Sequence, residues 1–87
     1  MCVVGNKNYK QFYKMKDKIL IAFGNRVREL RKERNWSQEK LAENSGLHPN
    51  YIGMVERGER NPSLLNIVKI ASTFELDLSE LLKQINY

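Results

Sequence analysis

Cysteine is nearly missing from this chain of 87 residues: Cys2 stands alone. A single thiol excludes an internal disulfide. With one histidine, His48, as its only companion, it leaves no ligand set for zinc. No metal and no cofactor is expected. Long apolar runs are also lacking. The stretch Ile19–Phe23 is flanked by charge and falls far short of a membrane span. No secretory signal is legible, so the expected location is the cytoplasm, away from any membrane. There is no nucleophile motif, no paired Cys and His, and no glycine-rich phosphate loop, so the chain is not expected to be an enzyme. Strand-like alternation is missing too, as are internal repeats.

What remains is small, basic and helical in pattern. The length allows one domain, and one that buries too little surface to be very stable alone, so dimerisation would help it. The hydrophobic share of 41% is ordinary for a folded protein. The net charge of +5 is unevenly placed. Residues 1–35 carry ten Lys and Arg against three acids, and residues 36–87 carry five against seven. A basic arm or face suits a polyanionic partner through counterion release. It also serves as a plain solubilising surface, and charge alone does not choose between the two.

Residues 1–17 read as a basic N-terminal arm or extension. Tyr9, Phe12 and Tyr13 could form one side of a helical turn, with Lys7, Lys10 and Lys14 around them. A mobile arm, a basic helix packed on the body, and a remnant preceding a start at Met15 are all compatible with this segment. The domain proper is expected over 18–87. Phe23, Val27 and Leu30 recur at helical spacing and predict a first helix from about Lys18 to Arg34, with Gly24 a weak point in it. Ser37 is an N-cap for a second helix, Gln38 to about Asn44. Trp36 before it and Leu41 within it fit a hydrophobic staple, which makes Trp36 a core plug. A third helix starts at Pro49, a residue welcome at a first helical position, and runs to Arg57 before Gly58. Ser63 caps a fourth, with Leu64, Ile67, Val68 and Ala71 expected on its buried side. Asp77 and Glu80 form a capping box for a fifth, Leu78 to about Ile85.

The most informative stretch is QEKLAENSGLHPNYIGMVER, residues 38–57. Leu41, Leu47, Ile52 and Val55 are apolar contacts between two short helices. Ala42 is small where the backbones come close, and Gly46 sits where the chain turns sharply. This is the layout of a helix-turn-helix, whose second helix enters the DNA major groove.

If Ile52 and Val55 fix the inner side of that helix, Asn50, Gly53, Met54 and Arg57 face the groove. Asn50 can pair with adenine N6 and N7, and Met54 suits a thymine methyl. Gly53 at mid-helix costs roughly 1 kcal/mol of propensity, which close backbone approach to DNA would explain. Gln38, beside the free N–H groups of its helix start, can hold a phosphate. Arg57, Arg60 and Asn61 could grip the DNA backbone on the other side. Tyr51 reads either as core edge or as a DNA contact, the latter preferred. His48 is placed at the helix start, capping or touching DNA, with Pro49 beside it on the DNA side.

The segment SQEKLAENSGLHPNYIGMVERGERNPSLLNIVKIA resembles helix-turn-helix regulators of the phage-repressor and Cro type, the Xre family. The resemblance covers about residues 23–83. It implies an all-α fold, a compact five-helix, lambda-repressor-like DNA-binding domain. Within the family, GLHPNYIGMVERGERN and SLLNIVKI look like the controller proteins of restriction–modification systems, small dimeric regulators of their own operons. This chain departs from them at Pro49, often basic there, and at Gly53, often Ser, so no operator sequence is carried over. The resemblance also implies an ion pair between Arg31 and Glu56. The expectation is a sequence-specific, double-stranded-DNA-binding transcriptional regulator, a homodimer on a pseudo-palindromic operator. Leu78, Leu81, Leu82 and Ile85 are candidates for its dimer interface. The alternative is an antitoxin, which would add a protein partner while repressing its own operon.

Overall fold

A computed structural model describes residues 6–85, with side chains from Met15 onward. Five helices follow one another: α1 (Asn6–Glu33), α2 (Gln38–Ser45), α3 (Pro49–Glu56), α4 (Leu64–Thr73) and α5 (Leu78–Leu82). There is no strand among the described residues.

Local chemistry sets where α2 to α5 begin. The Ser37 hydroxyl accepts from the Lys40 N–H at 3.0 Å, and the Ser63 hydroxyl from the Asn66 N–H at 3.1 Å. His48 caps α3 through Nδ1, which accepts from the Asn50 N–H at 3.1 Å, with Pro49 just inside. That bond needs a free lone pair on Nδ1 and so places the ring proton on Nε2. Asp77 and Glu80 close a reciprocal box at 2.7 and 2.9 Å. The Glu80 N–H, and then the Ser79 hydroxyl, hold the Asp77 carboxyl below its usual range. The ends of α1 to α4 share one device, a residue in the left-handed region: Asn35 (φ 57°), Gly46 (φ 78°), Gly58 (φ 75°) and Glu75 (φ 61°). The N–H one residue further on returns to the preceding helix each time, as from Glu59 to the Met54 carbonyl at 2.8 Å.

The core joins all five helices. Val27, Leu41, Ile52, Ile70 and Leu81 are wholly buried, with Phe23, Leu30, Ala42, Val55, Ala71 and Phe74 around them. Trp36 stacks on Phe74 at 5.7 Å between centroids and so plugs the core edge. Gly24 marks the crossing of α1 over the end of α3. A Cβ there would stand 2.4 Å from the Val55 carbonyl oxygen and 2.6 Å from that of Glu56. Close passage of two backbones explains a glycine that helix propensity disfavours.

Three expectations change. First, α1 begins at Asn6, twelve residues before Lys18. Apolar periodicity marks only where a helix meets a core, and nothing in residues 6–17 breaks a helix that has already formed. At about 1.5 Å per residue such a helix spans nearly the whole 44 Å long axis of the molecule. Second, Leu64 and Val68 are exposed, at 65% and 41%. The i, i+3, i+4 pattern fits two registers in this apolar segment, and Phe74 in the core selects the one running through Ile67, Ile70 and Ala71. Third, Leu81 is wholly buried within its own chain and is not available to a second copy. Its seat is fixed from α1: Arg26 donates from Nε to the Leu81 carbonyl and from Nη2 to the Glu80 carbonyl, both at 3.0 Å.

Candidate nucleic-acid interface

The α2–α3 corner is locked from behind. Arg31 on α1 meets Glu56 at the end of α3 in a two-pronged pair, Nε to Oε2 at 2.6 Å and Nη2 to Oε1 at 2.9 Å. The side chains are 10% and 3% exposed. Nη1 of Arg31 donates to the Trp36 carbonyl at 2.9 Å, so the same guanidinium holds the loop entering α2. The hydrogen bond to Glu56 holds the Arg31 pKa above its ordinary value. Glu56 also reaches forward: its Oε1 accepts from Gln38 Nε2 at 3.1 Å. Carboxylates only accept, so the amide nitrogen of Gln38 faces Glu56.

In front of this lock lies a shallow groove lined by Gln38, Pro49, Asn50, Gly53, Met54 and Arg57. Asn50 is exposed on its rim. Gly53 is buried by its own chain rather than bare. A Cβ on it would lie 3.2 Å from Arg57 Nη1 and 3.4 Å from Gln38 Oε1. Arg57 is itself held by Glu59 at 3.0 and 3.2 Å. That exposed pair raises the arginine pKa and lowers the carboxyl pKa.

The remaining sequence candidates stand apart from the groove. His48 is spent on capping through Nδ1. Tyr51 packs at the core edge, and its hydroxyl accepts from Asn66 Nδ2 at 3.0 Å, which leaves the hydroxyl proton to give. The Arg60 guanidinium lies over its ring at 5.4 Å. Asn61 borders a different depression, an apolar one shared by Ile19, Leu20, Phe23, Pro62, Ile67, Leu82 and Ile85. Leu82 and Ile85 therefore open onto a surface, while Leu78 is half-buried. Sequence reasoning missed Glu59, Asn66, Arg26 and Arg34. The last donates from Nη2 to the Phe74 carbonyl at 2.8 Å and lies 4.7 Å over that ring. For the apolar depression one signal was present in the sequence. The run Ile19–Phe23 has more apolar positions than a helix with one buried side needs.

Two short helices, joined at Gly46 and presenting a polar groove beside the second one's outer face, define a helix-turn-helix DNA-binding unit. The chain belongs to the helix-turn-helix family HTH_3, which it matches over residues 27–81. It is 45% identical over 69 residues to the control protein C.BamHI of Bacillus amyloliquefaciens, covering 78% of this chain and 85% of that one. It is 43% identical over 68 residues to C.MunI of a Mycoplasma species, with coverage of 77% and 92%. Among solved structures it is similar to the restriction-modification controller protein C.AhdI from Aeromonas hydrophila. That match has 52% identity and a TM-score of 0.69, over 71% of this chain and 94% of that one. The chain is a transcriptional regulator, not an enzyme. No helix among the described residues is long and apolar enough to cross a membrane.

Proposed function

We propose that this protein is a dimeric controller-type regulator of a restriction–modification locus, acting in the cytoplasm on a pseudo-palindromic operator. The groove in front of the Arg31–Glu56 lock carries the reading. Asn50 stands there with its amide unpaired by any neighbouring side chain described, on the outer face of α3. Gln38 and the N-terminal N–H groups of α2 meet a phosphate, and Asn50 and Met54 meet base edges. Arg60, stacked on Tyr51, takes a second phosphate. The similarity to control proteins of such loci supports the choice of controller over antitoxin.

The dimer forms through the apolar depression at Leu82 and Ile85, with half-buried Leu78 contributing from the same helix as Leu82. Two-fold symmetry then sets two α3 helices one DNA turn apart, ~34 Å. The decisive experiment replaces Asn50 by Ala. Operator affinity falls by roughly 1–3 kcal/mol and preference relaxes at one base pair per half-site. An equal loss on operator and scrambled duplex would remove Asn50 from base reading. A toxin gene beside this one, in place of a methyltransferase or endonuclease gene, would sink the controller reading.

A further inference from the structure

We infer that Arg57 reads a guanine rather than a phosphate, and that Glu59 is the residue that positions it. The inference rests on the reading of the α3 outer face as the DNA surface.

The geometry of the guanidinium is specific. Arg57 caps the end of α3, but its tip folds back along the helix, with Nη1 over Gly53 in the groove. Its Nε donates to Glu59 Oε2 at 3.0 Å and its Nη2 to Glu59 Oε1 at 3.2 Å. One edge of the fork is thus taken. A guanidinium has five N–H groups. The opposite edge, with one N–H on each of Nη1 and Nη2, is left open. Two parallel donors at that spacing match O6 and N7 of guanine.

Glu59 does not hang on a loose loop. Its N–H is tied to the Met54 carbonyl at 2.8 Å, directly after Gly58 turns through φ 75°. Gly53 completes the seat, because any larger residue would put its Cβ within 3.2 Å of Nη1. A phosphate needs none of this. A cation that only neutralises the DNA backbone is weakened by an adjacent carboxylate, and that carboxylate is itself repelled by DNA. Fixing one edge of an arginine has a use when the other edge must meet two acceptors in one geometry, since the side chain is ordered before it binds.

The test uses the full chain and duplexes selected from a random-sequence pool. Sites selected by the wild type contain one G·C pair per half-site preferred roughly five- to 150-fold, the range of a good bidentate contact. R57K keeps a charge but cannot bridge two acceptors, so it loses preference at that pair alone. E59Q weakens the same preference and leaves the melting temperature unchanged, and adding it to R57K costs nothing more. Any of the following results would overturn the proposal. R57K could leave every base preference intact while R57Q weakens all duplexes equally and flattens the salt slope by about one. E59Q could tighten binding to every duplex alike, or leave the G·C preference untouched. A wild type that enriches no sequence would overturn the DNA-reading proposal itself, and this inference with it.

Discussion

Glu56 serves two neighbours with one carboxylate, and its two duties can be separated. Toward the core it neutralises Arg31 at 2.6 Å; toward the groove it orients the Gln38 amide. Removing one member of a buried pair leaves an unpaired charge and costs about 3–5 kcal/mol, a large share of the 5–15 kcal/mol that holds a typical domain folded. Glu56→Ala is therefore expected to lower the melting temperature steeply. Replacing both partners by apolar residues, Arg31→Met with Glu56→Leu, recovers much of that stability, because no charge is then stranded. Operator affinity stays low in the double variant, because Gln38 has lost its acceptor. Thermal unfolding and duplex titration of both variants check this; recovery of both properties together would show that Gln38 needs no anchor.

At the scale of helices, the starts of α2 to α5 were legible in the sequence and stops less so. Ser37, His48 with Pro49, Ser63 and the Asp77–Glu80 box each mark a beginning by a side chain that satisfies orphan N–H groups, and all are made. Gly46 and Gly58 announce ends. Glu75 ends α4 in the same left-handed conformation with no such announcement, since the chain is held there by bonds from Glu75 and Leu76 back to Ser72 and Ala71. A side chain in that region costs on the order of 1–2 kcal/mol. Glu75→Gly is expected to relieve part of it, net of the freedom glycine adds to the unfolded chain, and to raise the melting temperature by a few degrees. A lower melting temperature would mean that the Glu75 side chain contributes more than its backbone costs. The start of α1 and the buried side of α4 were not legible, for a different reason. Residues 6–17 carry only the short cluster Tyr9, Phe12 and Tyr13 as a sign of helix, and in α4 surplus apolar residues leave the register to what the helix packs against.

Across the whole molecule, charge misleads in one respect and apolar surface informs. Of the ten basic residues in 1–35, Arg26 and Arg31 tie α1 to α5 and α3, and Arg34 ties the turn after α1 to the residue that ends α4, so the basic excess there is partly structural rather than a DNA-facing patch. The inner face of the recognition unit was readable because core positions obey spacing; the Arg57–Glu59 contact was not, because it depends on a turn that follows the helix. The apolar depression at Leu82 lies on another part of the molecule from the groove that carries Asn50. If two copies meet there, Leu82→Glu places a charge in the contact, and sedimentation should show a monomer with a melting temperature near that of the parent. Loss of fold, in place of loss of the dimer, would assign Leu82 to the intrachain core.

The Arg31–Glu56 pair sits behind the groove, whereas Asn50 and Met54 line its front. Mutation can therefore rewrite the front without touching what keeps the protein folded. A lineage carrying such a domain is free to follow its operator as that DNA drifts, one letter at a time, with each intermediate still folded. Two neighbouring loci in one cell could keep their regulators from cross-talking by the same route.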